Sequence, residues 1–407
     1  MYGAGVTAEP NPVELKIALA TRGARLDDGL RALLASVPEF TPRGLEIVLP
    51  DGVRVLVPTD DVMSTTAPYS VVVENGHTFV VDGGPLRVEV QTGAAPRFYN
   101  RRTASGRPMW QVATVQGTHL LVTPTGTCGF STRGAPCSFC REGARPAGER
   151  ERSASIADVV DVVRAAFEEG VAELVYLNSS IYDAEDGGIE FLTPYIEGIR
   201  KHFDTFVAVQ VHPPRTNTWI DRTYAMGVDA LSYNLELFDP DVLGRHCIGR
   251  VRYIGRERYL EALAYAASVF PAGTVWTDLV LGLEPAESTM AGVDALAGAG
   301  VVPVLSVYHP GPDTIPQVTP DEAAAVVASL DRTARERQLN VTWVRDLALG
   351  ITPLDACRFT GATPPGSATV HALTRWRLGA YAARGIARFR RRLRVKAISE
   401  SLDSSHL

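Results

Sequence analysis

The sequence predicts an α/β fold, a partial (β/α)6 barrel of parallel strands with a small N-terminal, mostly β accessory domain and a C-terminal helical extension. Three observations predict it. From about residue 117 apolar strands alternate with amphipathic helices, the pattern of repeated βαβ units on a parallel sheet. Upstream, β-rich runs flank turn signals. Downstream, a helical run ends in a cluster of arginines.

In chain order, residues 13–21 predict a short helix. Residues 44–57 read GLEIVLPDGVRVLV, two β-rich runs around Pro50-Asp51-Gly52, a hairpin signal. Residues 69–81 repeat the idea around Asn75-Gly76, and residues 86–90 alternate apolar with charged. The barrel strands are predicted at 119–124, 174–178, 206–212, 230–236, 275–282 and 302–308, and the helices between them at 155–169, 189–203, 256–269, 289–299 and 320–336, each with an apolar stripe at helical spacing. A division follows into residues 1–95 (accessory), 96–338 (barrel) and 339–407 (extension). In such barrels chemistry sits at the C-terminal ends of the strands.

Composition narrows the function classes. The chain is 407 residues long, 45% apolar and 21% charged, which suits a large packed core and not a disordered or fibrous role. A net charge of −6 argues against a nucleic-acid partner. The exception is residues 388–396, with five Arg and one Lys after a predicted helix at 369–384; a solvated helix explains it, and RNA or an anionic surface is the sharper alternative. Residues 1–12 lack a positive segment followed by an apolar one, and no run of about 18 apolar residues exists to span a membrane. A cytoplasmic location is expected.

Three of the five cysteines fall within residues 128–140, and clustered thiols in so long a chain read as metal binding, not as a disulfide framework. The segment 127–141 reads TCGFSTRGAPCSFCR, directly after the first barrel strand, with Cys128, Cys137 and Cys140 spaced C-x8-C-x2-C. Three thiolates can hold a [4Fe–4S] cluster and leave one iron open to another ligand. A structural zinc site would want a second close ligand pair, and the sequence has none.

This loop resembles that of the radical S-adenosylmethionine (SAM) superfamily, in which two residues separate the last two cysteines and an aromatic precedes the final one, here Phe139. The commonest family spacing has three residues between the first two cysteines, where this chain has eight. Residues 96–99, 103–108 and 111–116 are similar to the lead-in of a branch sometimes encoded near nitrilases, whose loop is also long. The resemblance implies that the cluster and SAM are the cofactors, that reductive cleavage of SAM yields a 5′-deoxyadenosyl radical acting on a small-molecule substrate, and that ferredoxin or flavodoxin supplies the electron.

The same resemblance implies the SAM contacts. Phe139 would pack near adenine. Asn178 and Ser180 stand where the family has a Gly-Gly-Glu-like stretch meeting the methionine amino group, although a hydroxyl-rich helix cap explains Asn178-Ser179-Ser180 equally well. Glu236 would reach the ribose hydroxyls or the amino group, and Gly282 would let backbone pass close beneath adenine. Gln210, His212 and His309 are further strand-end candidates for substrate or adenine. Cys247 and Cys357 read as core thiols, with a hydrogen-donor role as the sharper alternative. Two other readings stay open: a zinc- or cluster-bearing binding or redox-sensing module without radical chemistry, and a radical SAM enzyme that modifies RNA.

Overall fold

A computed structural model describes residues 10–35, 44–59, 66–93, 95–125, 128–140, 153–308, 318–341, 343–344, 347 and 349–362. The predicted helix at 369–384, the basic cluster, Pro364-Pro365 and His309 lie outside the described residues.

The chain opens with α1 (Pro12–Arg22), started by Asn11, whose side chain accepts from the Val13 amide, and by Pro12 in the first turn, where a missing N–H costs nothing. Next come β1 (Ala24–Leu26), α2 (Asp28–Ala35), β2 (Leu45–Val48), β3 (Arg54–Val57), β4 (Tyr69–Glu74), β5 (His77–Val81) and β6 (Arg87–Thr92). They form one sheet in the order β1-β4-β5-β6-β2-β3. Both predicted hairpins are present: β2 pairs antiparallel with β3, and β4 with β5. Asn75 and Gly76 take φ of 52° and 82°, the consecutive left-handed residues that a tight hairpin turn requires. Only β1 and β4 run parallel among the described pairs, so the sheet is mostly antiparallel as expected.

The second sheet begins with the hairpin β7 (Ala113–Gln116) and β8 (His119–Val122). It continues through α3 (Ile156–Glu169), β9 (Leu174–Asn178), α4 (Ile189–His202), β10 (Val207–Gln210), α5 (Thr218–Ala225), β11 (Ala230–Ser232), α6 (Pro240–His246), α7 (Ile248–Tyr253), α8 (Arg256–Val269), β12 (Val275–Leu281), α9 (Ala286–Gly298), β13 (Val302–Val307) and α10 (Pro320–Glu336). Strands β8 to β13 lie side by side in chain order and pair in parallel. All six predicted strands are therefore present. The fourth is shorter than expected: β11 stops at Ser232, and Glu236 rejoins the sheet only as an isolated bridge to Leu279.

The two faces of this sheet are buried differently. Val175, Leu177, Val207, Val209 and Leu305 share the main core with the apolar stripes of the helices. Leu174, Tyr176, Ala208, Trp276 and Val304, on the opposite face, form a second cluster with Leu339, Trp343, Val344 and Leu347 from the segment after α10. Trp343 packs 5.3 Å from Phe206 and 4.9 Å from Trp276, ring to ring.

The last described element, α11 (Pro353–Thr360), is bound to α1 at the other end of the sequence. Lys16 Nζ donates to Gly350 O at 2.7 Å and to Asp355 Oδ2 at 3.0 Å, with side-chain exposures of 1% and 8% for the pair. Asp355 also closes a capping box with Thr352. Burial pulls the Lys16 pKa down, against the attraction of Asp355. Removing one partner of a buried pair strands the other charge, at a cost of about 3–5 kcal/mol, whereas replacing both charges at once is tolerated far better. Lys16→Met and Asp355→Ala are each expected to lower the denaturation midpoint more than the double variant Lys16→Met/Asp355→Asn, which leaves no charge unpaired. A double variant less stable than either single one in urea titrations would contradict this account.

Candidate active site

The cysteine loop leaves the C-terminal end of β8 and is folded by its own backbone. Thr132 N donates to Cys128 O at 3.0 Å, Ala135 N to Phe130 O at 2.9 Å and Cys140 N to Cys137 O at 3.1 Å. Gly134, at φ 69°, makes the reversal between the first cysteine and the last two. Four contacts fasten this loop to the neighbouring strand ends and helices. Gly129 N donates to Ser180 O, just beyond β9, at 2.8 Å, and a Cβ on Gly129 would lie 2.5 Å from Tyr182 N. Phe130, 2% exposed, packs 4.6 Å from the His212 ring and 5.0 Å from that of Tyr182. Ser138 N donates to His246 O at 2.9 Å, and its hydroxyl lies 2.7 Å from His246 Nδ1. Finally, a Cβ on Gly249 in α7 would lie 2.5 Å from Ala135 O, so the helix start rests directly on the loop.

The thiols are not equivalent. Cys128 and Cys140 are half-buried, while Cys137 is buried and hydrogen-bonded to the thiol of Cys247, between α6 and α7. That contact, helped by Arg250, makes Cys137 the more acidic of the two; the same contact together with burial pushes Cys247 up. Among the described residues no three His, Cys, Asp or Glu side chains are gathered closely enough to hold a metal ion. The donor set nevertheless fits an iron–sulfur cluster in kind, with three thiols on one loop at a strand end.

Beneath the loop runs a buried polar network that spacing alone does not disclose. Arg250 donates through Nη2 to Glu236 Oε1 at 2.9 Å, and through Nη1 to Tyr259 Oη at 3.2 Å and to Asn234 O. Asn234 Nδ2 donates to Asp278 Oδ2 at 2.8 Å. Asp278 in turn lines a cavity of about 270 Å³ bordered by Gln116, Tyr176, Trp276 and Ser306. The network thus joins the surroundings of Cys137 to a partly open pocket. His212, buried below Phe130, has its pKa pulled well down, first by burial and then by Arg250. Gln210 accepts from the Tyr176 hydroxyl.

Glu236 holds φ of 73°, a left-handed conformation that costs a residue with a side chain about 1–3 kcal/mol. It is kept there by Glu236 N donating to Asp278 O at 2.9 Å and by Val280 N donating to Glu236 O at 2.8 Å. Burial raises its pKa to about 7 against the pull of Arg250, and burial raises Asp278 to about 6. An acid whose folded pKa lies above its unfolded value adds stability while protonated. That contribution is complete below the ordinary carboxyl range and is lost as pH rises through about 6 to about 7. Urea midpoints of the metal-free chain should therefore fall between about pH 5 and about pH 8, and less so for Glu236→Gln. Parallel pH curves for wild type and variant would remove Glu236 from the explanation.

No family model matches the chain. Residues of the chain are 26% identical over 162 positions to the bacteriochlorophyllide c C-7(1)-hydroxylase of Chlorobaculum limnaeum, covering 40% of this chain and 34% of that protein. The chain thus spans about a third of the length of the curated relative it matches. Solved structures that it is similar to include HydG, the FeFe-hydrogenase maturase of Carboxydothermus hydrogenoformans, at 16% identity and a TM-score of 0.44 over 58% of this chain and 57% of that one. Another is a radical SAM methyltransferase from Sphaerobacter thermophilus, at 16% identity and a TM-score of 0.38 over 68% and 76% of the two chains. The chain is similar to radical SAM proteins.

The radical SAM contacts expected from the sequence are distributed as follows. Asn178 ends β9 and Ser180 follows it, holding the cysteine loop through its carbonyl. Phe139 is half-buried against the main core. Glu236 is bound to Arg250, a residue that spacing did not single out. Gly282 follows β12 at φ 100°, and a Cβ placed on it would lie 3.4 Å from the Val318 side chain. Glu284, two residues on, accepts from the amides of Phe238 and Asp239 and from Thr289, so it fastens the turn after β11. Cys247 is a core thiol, as expected, but one in contact with the loop. Cys357 is buried in α11, beside Asp331.

Proposed function

We propose that this chain is a radical SAM enzyme in which Cys128, Cys137 and Cys140 hold a [4Fe–4S] cluster. The observation that carries the reading is a three-thiol loop at the end of the first parallel strand, fastened to the segment after β9 and to α7. When bound, the cluster supplies one electron to SAM, which divides into methionine and a 5′-deoxyadenosyl radical able to take a hydrogen atom from carbon. The chain's own residues would bind and orient SAM: Phe139 against adenine, Asn178 and Ser180 as hydrogen-bonding groups, Glu236 as an acceptor, and Gly282 as a point of close backbone approach. The positions of Asn178, Ser180 and Gly282 at or just beyond strand ends support this assignment.

The substrate would be a small molecule, and the hydroxylase relative supports a reaction at carbon. A ferredoxin or flavodoxin would deliver the electron in the cytoplasm; no helix of the described residues is long and apolar enough to cross a membrane. Included in the proposal are the (β/α)6 barrel at residues 96–338, the accessory domain at 1–95 and the extension at 339–407.

Anaerobic reconstitution with iron and sulfide, followed by SAM and dithionite, tests the reading. Four irons per chain with labile sulfide and release of 5′-deoxyadenosine are expected. One zinc per chain, or a loaded cluster that binds SAM without cleaving it, would overturn the radical assignment.

A further inference from the structure

Cys247 is fully buried at the junction of α6 and α7, and its thiol is hydrogen-bonded to that of Cys137. The backbone on both sides of the pair is fixed. Ser138, next to Cys137, is held to His246, next to Cys247, through a backbone hydrogen bond of 2.9 Å and a side-chain contact of 2.7 Å. Two residues further along, Gly249 leaves no room for a Cβ beside Ala135 and Phe130. The two sulfurs are therefore kept side by side by the fold. Cys357, beside Asp331 in α11, is engaged elsewhere.

We infer that, before a cluster is loaded, Cys137 and Cys247 form an oxidisable pair, and that a peroxide converts them to a disulfide that withdraws one of the three loop thiols from iron. The inference rests on the radical SAM reading for its consequence, though not for the chemistry of the pair. Cys137, 9% exposed, is the reachable sulfur. Its thiolate attacks one oxygen of the peroxide, the O–O bond breaks, and a sulfenic acid and water result once the leaving oxygen is protonated. Cys247 then gives up its proton and attacks the oxidised sulfur; the S–O bond breaks and a second water leaves. Two thiols have lost two electrons to one peroxide. Reduction by an external thiol returns both groups and reopens the loop to iron.

The test uses the full-length, metal-free chain treated with hydrogen peroxide, digested without reduction and mapped by mass spectrometry, with iron uptake measured in parallel. A dominant link between the Cys137 and Cys247 peptides is expected, together with an iron uptake lowered at least about tenfold until a thiol reductant is added. Cys247→Ser should lack the link and stop at the sulfenic acid of Cys137, which a dimedone probe captures. Dominant pairing of Cys137 with Cys128 or Cys140 in wild type, or no dimedone adduct on Cys137 in peroxide-treated Cys247→Ser, would overturn the inference. Should Cys247→Ser not fold, the double variant Cys128→Ser/Cys140→Ser keeps the pair and must still form the link. A chain that forms the link yet binds no iron when reduced would leave the pair intact and remove the radical SAM reading.

Discussion

Reconstituted with iron and sulfide and given SAM and dithionite, the wild-type chain is expected to release 5′-deoxyadenosine, and Cys140→Ala less than about one hundredth as much. Loss of a residue that only supports a metal ligand commonly costs 10–100-fold, and a ligand should cost at least that. The substitution is also a gentle one structurally. Cys140 is half-buried, at the end of a turn whose backbone bond from Cys140 N to Cys137 O survives truncation of the side chain. Stability should therefore change little while activity and iron content fall together. Unchanged 5′-deoxyadenosine release would exclude Cys140 as a cluster ligand, and with it the present assignment of the loop.

Arg250→Met is expected to cost about 3–5 kcal/mol of stability, read from the urea midpoint of the metal-free chain. Arg250 is the cation of the buried network, 10% exposed in its side chain, facing Glu236 at 12%. Its removal strands Glu236 and leaves the Asn234 carbonyl and the Tyr259 hydroxyl without a strong donor. With the opposing charge gone, Glu236 titrates above its present value of about 7, so more of it is protonated at neutral pH. The double variant Arg250→Met/Glu236→Gln should recover part of the loss, because no carboxylate is then left unpaired. A single variant as stable as wild type would show that the network contributes no net stability.

What spacing could reveal of this fold was considerable, because the period of apolar residues reports directly which faces are buried. The six parallel strands, their order and the helices over residues 156–169, 189–202 and 256–269 follow from it. Short helices did not. Residues 218–225, 240–246 and 248–253 each span about two turns, too few for a periodic stripe to stand out. The premature end of β11 was also illegible, because Leu235 and Leu237 continue the apolar run while Glu236 takes a left-handed conformation.

The sequence by itself determined the three-thiol loop and its place after the first parallel strand, since covalent order sets both. It also determined which strand ends stand at the same rim, because parallel βαβ units put every C-terminal end on one side. Only the tertiary structure decided what surrounds that loop. Cys247 lies more than a hundred residues from Cys137 along the chain, and Arg250, Asn234 and Asp278 carry no shared spacing, yet packing of α7 against the loop brings the two thiols into contact and runs the arginine into the sheet. Partnerships of this kind depend on how side chains fill a common interior, and local periodicity records only which way each residue faces.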